Sequence, residues 1–221
     1  MGHRPERGAA PADYVVVGAN HRSSSVSLRD RLFVDDADVP EVLATLADGG
    51  FDEAILVSTC DRVEVHGVAG DPARAASTAR DLLRARAGGD VETGGGTIVE
   101  LQGDAAVRHV IAVAASLESV VVGEAEVLGQ IKTAHARAKE AGGTGPALES
   151  LMQRAYAAAK DVRTNTAIAE GPVSMATAAV KAAAGLFGTL ENVSALLIGP
   201  SEMGLLMVDH FQNGGLRRIT V

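Results

Sequence analysis

Ala54-Ile55-Leu56-Val57-Ser58-Thr59-Cys60-Asp61-Arg62-Val63-Glu64-Val65-His66 is the stretch on which the fold turns. An apolar run leads in, an alternating run leads out, and the only cysteine of the chain stands at the joint. Side chains alternate along a strand, so Val63 and Val65 face a core while Arg62, Glu64 and His66 share the opposite face. The short connection suits a hairpin, with Cys60 at an exposed turn held by two strands. A thiol near a fixed arginine is biased toward thiolate, the nucleophilic form. A lone cysteine is also often an inert core filler, and Arg62 reads equally as a surface residue on a solvated strand.

Upstream, Tyr14–Gly18 predicts a strand and Asn20–Ser25 a polar loop. Asp38–Leu46 predicts a helix that Asp38 can cap, with Val39, Val42, Leu43 and Leu46 at helical spacing and Gly49-Gly50 as its stop. Around Cys60 the strands are Glu53–Ser58 and Arg62–Val68. Asp71-Pro72 opens a helix running to about Ala87. A glycine-rich loop, Gly88–Gly96, precedes a further strand, Thr97–Leu101. This order of strand, helix, strand, strand, helix, strand is the ferredoxin-like βαββαβ pattern, an antiparallel sheet with two helices on one face.

After Gly103 the chain becomes alanine-rich. Asp104–Ser116, Glu118–Ala141, Leu148–Thr166 and Val173–Phe187 read as helices, separated at Gly142–Pro146 and Gly171-Pro172. Within the second, Gly123 and Gly129 cost helix stability, about 1 kcal/mol each, which points to close approach of backbone or ligand, or to tight helix packing. Val193–Ile198 is a strand entering Gly199-Pro200-Ser201-Glu202-Met203-Gly204, followed by a helix, Leu205–Gln212, and a strand, Leu216–Val221. Strand, glycine turn, helix and strand open a dinucleotide-binding unit, although Ser201 replaces the middle glycine of G-x-G-x-x-G. One such arm cannot bury both faces of its strands, so the sequence predicts a fragment or a degenerate version of something longer.

The 221 residues fit one large domain or two small ones. Apolar residues make up 47% and aromatics 3%, so a core must be built from Ala, Val, Leu and Ile. A single cysteine precludes an internal disulfide and suits a reducing compartment. The polar leader, residues 1–12, has no apolar segment of a secretory signal, and no long apolar run predicts a membrane span. A net charge of −8 argues against a nucleic-acid-coating protein. Lys132, Arg137, Lys139, Arg154, Lys160 and Arg163 still give the helical region a mild basic bias. His109 offers an imidazole that could relay a proton near Cys60, and no metal-ligand set is read from the sequence.

Taken together, these stretches resemble the glutamyl-tRNA reductase family from about Val15 to Val221. Gly18-Ala19-Asn20-His21 is similar to its G-x-N-H, and Ser58–Glu64 to its S-T-C-N-R-x-E. His109 with Val113–Ser119, Gly123–Gln130 and Ala159–Thr166 are similar to three further family segments in the same order. The resemblance implies an α+β catalytic domain, residues 13–167, with a sheet part 13–102 and a helical part 103–167. The start of a Rossmann-type NADPH-binding domain would follow at 168–221.

The resemblance further implies NADPH-dependent reduction of glutamyl-tRNA to glutamate-1-semialdehyde through a thioester on Cys60, the first step of tetrapyrrole synthesis. His109 would support activity, Arg62 would hold the glutamyl carboxylate, and Thr59, Asp61, Ser119, Glu124, Ala125, Glu126 and Gln130 would line the substrate site. Gly199, Pro200, Ser201, Glu202, Met203 and Gly204 would bind the cofactor. A cytoplasmic homodimer, joined through a C-terminal region and passing its aldehyde to an aminomutase, belongs to the same implication. Asp61, Ser116, Glu126 and Ser201 stand where the family has Asn, Gly, Gln and Gly. A carboxylate beside the nucleophile raises a thiol pKa, so a catalytically impaired tRNA-binding relative is the alternative, and an unrelated thiol hydrolase a third.

Overall fold

The computed structural model describes residues 13–88, 97–169, 174–199 and 202–221. The leader, most of the 88–96 loop, the Gly171-Pro172 break and Pro200-Ser201 lie outside the described residues. Strands β1 (Asp13–Asn20), β2 (Glu53–Ser58), β3 (Arg62–Ala69) and β4 (Val99–Gln102) form one sheet in the order β2-β3-β1-β4. Every neighbouring pair is antiparallel. The central β3 is buried along its whole length, polar residues included.

Between β1 and β2 lie α1 (Val26–Leu32) and α2 (Val39–Asp48); α3 (Pro72–Arg86) joins β3 to β4. No helix is expected from the sequence at Val26–Leu32. The Ser25 hydroxyl caps it by accepting the Leu28 N–H at 3.2 Å, and Leu28 and Leu32 are fully buried. In α2 the spaced residues Val39, Val42, Leu43 and Leu46 do form the buried stripe. Asp38, expected as its cap, makes no side-chain cap bond. A 3-10 turn, Asp36–Asp38, runs straight into the helix, so Asp38 already has helical dihedrals where a capping residue would be extended. Asp71 does cap α3, accepting the Arg74 N–H at 3.1 Å.

The helical part comprises α4 (Asp104–Ala114), α5 (Glu126–Glu140) and α6 (Pro146–Asn165). The single helix expected over Glu118–Ala141 is corrected to α5 alone. Ser116 at φ 58° and Gly123 at φ 86° take the backbone off the helical path, and the Gly123 N–H closes the bend on the Ser116 carbonyl at 2.9 Å. At Gly123 a side chain would meet the Ile168 carbonyl at 2.4 Å, so the close-approach expectation applies here outside a helix. Contacts set α3 against β1 and β3, and α4 and α6 against the side of the sheet that carries Arg62, Glu64 and His66.

The last segment holds α7 (Met175–Phe187), β5 (Ser194–Leu196), α8 (Glu202–Asn213) and β6 (Arg218–Thr220). Strands β5 and β6 pair in parallel over three residues each, and α7 packs on α8. Among the described residues no helix is long and apolar enough to cross a membrane.

Candidate active site

Cys60 stands exposed at the tip of the β2–β3 hairpin. The Thr59 N–H donates to the Arg62 carbonyl at 2.8 Å, and Thr59 Oγ1 accepts the N–H groups of Asp61 and Arg62, each at 3.2 Å. A hydroxyl thus closes the turn that brings the thiol to the surface. Arg29 of α1, a residue not singled out in the sequence, donates its Nε–H to the Cys60 carbonyl at 3.0 Å and is buried. Its other anchor is the Ser24 carbonyl, at 2.6 Å.

Behind the hairpin lies a buried polar cluster. Arg62 is 1% exposed, which rules out the reading of it as a solvated surface arginine. A buried guanidinium needs partners on several sides. Arg62 donates to both Glu64 carboxylate oxygens at 3.4 and 3.5 Å and to the Glu118 carbonyl, and stands 3.6 Å from Asp61. Glu64 Oε2 lies 3.0 Å from Nε2 of both His66 and His109. Asn20 donates to Glu64 Oε1 at 3.2 Å, and His21 Nδ1 approaches Asp61 at 3.3 Å. Gly18 faces Glu64 in the β1–β3 register, where an added Cβ would lie 2.7 Å from Glu64 Cγ and 2.3 Å from the Val63 carbonyl. Each polar member of Gly18-Ala19-Asn20-His21 therefore serves this cluster, and the glycine makes room for it.

Burial works to raise the Glu64 pKa, but hydrogen bonds from His109 and His66 and the charge of Arg62 outweigh it and hold the carboxyl well below its ordinary range. Burial lowers the His66 pKa more than Glu64 raises it. At Cys60, partial desolvation, then the Asp61 and Glu124 carboxylates, push the thiol up, and Arg29 only partly opposes them. The expected bias toward thiolate is therefore reversed. Arg62 does not supply it because its charge is spent among Glu64, Asp61 and the Glu118 carbonyl. Desolvation, Asp61 and Glu126 also push Glu124 up.

An open cleft of about 890 Å³ begins at the hairpin tip. Thr59, Cys60, Glu126 and Gln130 line it, with Gly129 between the last two and Arg137 farther along α5. A side chain at Gly129 would meet no protein atom, so tight helix packing does not explain that glycine. Asp61, Arg62, Ser119 and Glu124 are buried, while Ala125 is exposed. The 115–125 bend carries Ser119 and Glu124; Ser116 Oγ donates to the Glu124 carbonyl at 2.7 Å, and Arg163 to the Gly123 carbonyl at 2.8 Å. His109 is engaged with Glu64, and among the described residues no hydrogen bond joins it to Cys60. Of the turn expected to bind a cofactor, Gly199 has φ 93° with open space where a side chain would be, Glu202 and Met203 begin α8, and Gly204 is buried within it.

The family model described as glutamyl-tRNAGlu reductase, N-terminal domain, matches residues 17–166. The chain is 45% identical over 212 residues to a glutamyl-tRNA reductase of Rhodospirillum rubrum, covering 94% of this chain and 48% of that protein. With one of Geobacter sulfurreducens it shares 40% identity over 208 residues, again 94% and 48%. Among solved structures, glutamyl-tRNA reductase from Methanopyrus kandleri is similar at 32% identity and a TM-score of 0.60, over 93% of this chain and 48% of that one. The chain thus spans about half the length of the curated relatives it matches.

Proposed function

Because the chain belongs to the glutamyl-tRNA reductase family, we propose that it provides the acyl-capture half of an NADPH-dependent reduction of glutamyl-tRNA to glutamate-1-semialdehyde. The supporting observation is the exposed Cys60 at the mouth of a cleft that Thr59, Glu126 and Gln130 also line. Cys60 Sγ attacks the ester carbonyl, the carbonyl–ribose bond breaks, and the ribose hydroxyl leaves with a proton, keeping glutamate as a thioester. Arg62 is assigned to the glutamyl carboxylate by motif position. Its fork is spent on Glu64, Asp61 and the Glu118 carbonyl in this structure, so that role requires exchanging at least one of these bonds. Glu64 holds His109 in place, where the imidazole can take up or return a proton at the rear of the site.

We read the sheet order as the ferredoxin-like arrangement, and β5–α8–β6 as the opening strand, helix and strand of a Rossmann-type unit within 168–221. The positive φ and free space at Gly199 fit a pyrophosphate at the N-terminus of α8. NADPH held there would supply the hydride that reduces the acyl group to the aldehyde. On the same reading the protein works in the cytoplasm as a dimer and hands its aldehyde to an aminomutase.

The test is incubation of the chain with glutamyl-tRNA. Release of free tRNA and a hydroxylamine-labile glutamyl adduct are expected, both absent in Cys60→Ser. Binding without release would leave only a tRNA-binding relative of the fold.

A further inference from the structure

We propose that Glu64, His66 and His109 form a binding site for a zinc-class divalent metal ion. No metal was assigned from the sequence, because one of the three donors lies far from the other two in the chain. The fold brings one ligand atom of each within 4.8 Å of the others, the one such group among the described residues. Glu64 and His66 point from one face of β3, and His109 meets them from α4. Two rigid elements therefore fix the donors, as a metal site requires.

The distances suit a tetrahedral ion. Zn–N and Zn–O bonds of about 2.0–2.1 Å set neighbouring donors roughly 3.3 Å apart. Glu64 Oε2 already lies 3.0 Å from each imidazole Nε2, so those two edges need almost no movement. The remaining Nε2–Nε2 edge lies within 4.8 Å and is the one that must shorten, by up to about 1.5 Å, for a tetrahedral ion. Two imidazoles and a carboxylate are a donor set that zinc uses with an open fourth position. Asn20 supports the carboxylate through its other oxygen. Arg62 stands against the same carboxylate and costs the ion affinity, which favours reversible occupancy over a permanent structural metal.

Coordination through Nε2 leaves each ring proton on Nδ1, takes His109 out of proton handling and turns Glu64 from positioning it to binding the ion. The ion is then an inhibitor of the proposed reaction. This consequence rests on the reductase reading; the binding does not.

The experiment titrates the chain with Zn²⁺ by calorimetry and with Co²⁺ by visible absorption. The proteins are wild type, His66→Gln, His109→Gln and Cys60→Ser, with circular dichroism confirming each fold. One ion per chain is expected, with tetrahedral Co²⁺ bands that persist in Cys60→Ser. Each histidine variant should bind more than ~100-fold more weakly, beyond the ~10–100-fold cost of losing a supporting residue. His109 is half-buried, so its variant carries the test if His66→Gln does not fold. Absence of stoichiometric binding in wild type, binding that survives His109→Gln, or binding lost in Cys60→Ser overturns the site. Metal binding without Cys60-dependent tRNA release would leave the site standing and remove the reductase reading alone.

Discussion

Replacing Ser116 in two ways separates a backbone cost from a hydrogen bond. Ser116 is the only non-glycine residue with positive φ among those described, at 58°. A left-handed conformation costs an ordinary residue about 1–2 kcal/mol. Against this, its Oγ donates to the Glu124 carbonyl at 2.7 Å in a buried setting, worth about 1 kcal/mol. Ser116→Ala keeps the strain and loses the bond, so it should destabilise by about 1–2 kcal/mol. Ser116→Gly loses the bond, relieves the strain, and concedes about 0.4–1 kcal/mol of unfolded-state entropy. It should therefore stay within about 1 kcal/mol of wild type and exceed Ser116→Ala by about 1 kcal/mol. The chain has no tryptophan, so urea unfolding followed by far-ultraviolet circular dichroism is the assay. The gap corresponds to roughly 2–4 °C in melting temperature for a chain of this size. An alanine variant as stable as the glycine variant would refute the strain argument.

Asp61→Asn removes a charge that opposes the thiolate, so the pH profile of Cys60 alkylation by iodoacetamide should move to lower pH; an unmoved or alkaline-shifted profile contradicts the role given to Asp61. Gly123→Ala places a methyl 2.4 Å from the Ile168 carbonyl at a positive φ and should cost at least about 2 kcal/mol, whereas Gly129→Ala meets nothing and should gain up to about 1 kcal/mol in urea melts. Glu64 has a folded pKa below its unfolded one, so its stability contribution is present above the unfolded carboxylate range and is lost as pH falls through the folded value. Glu64→Gln should flatten the acid limb of a stability–pH curve, and an unchanged limb would place the acid sensitivity elsewhere. His66, also lowered, binds its proton more readily when unfolded, so stability should rise with pH through the histidine range and lose part of that rise in His66→Gln.

What could be read from the sequence was what neighbouring residues decide. The alternation Arg62–His66 and the apolar run before it specify two strands, and the hairpin follows from the short link between them. The α2 stripe follows from spacing in the same way. The environment of the thiol is decided by residues far apart in the chain. The cation that supports it is Arg29, on a short helix whose cap, Ser25, is the last residue of the Asn20–Ser25 stretch that reads as loop. Arg62 lies on the face expected of it, yet nothing local says that face is covered. The cover comes from α4 and α6 and from the 115–125 bend, in which Ser116 and Gly123 leave the helical path. Once that cover is in place, Arg62 cannot act as a free charge beside Cys60, because its partners must neutralise it for burial to be tolerable. The thiol is then governed by its own partial desolvation and by the Asp61 and Glu124 carboxylates, and a substrate that drew Arg62 away from Asp61 would leave that opposing charge unshielded.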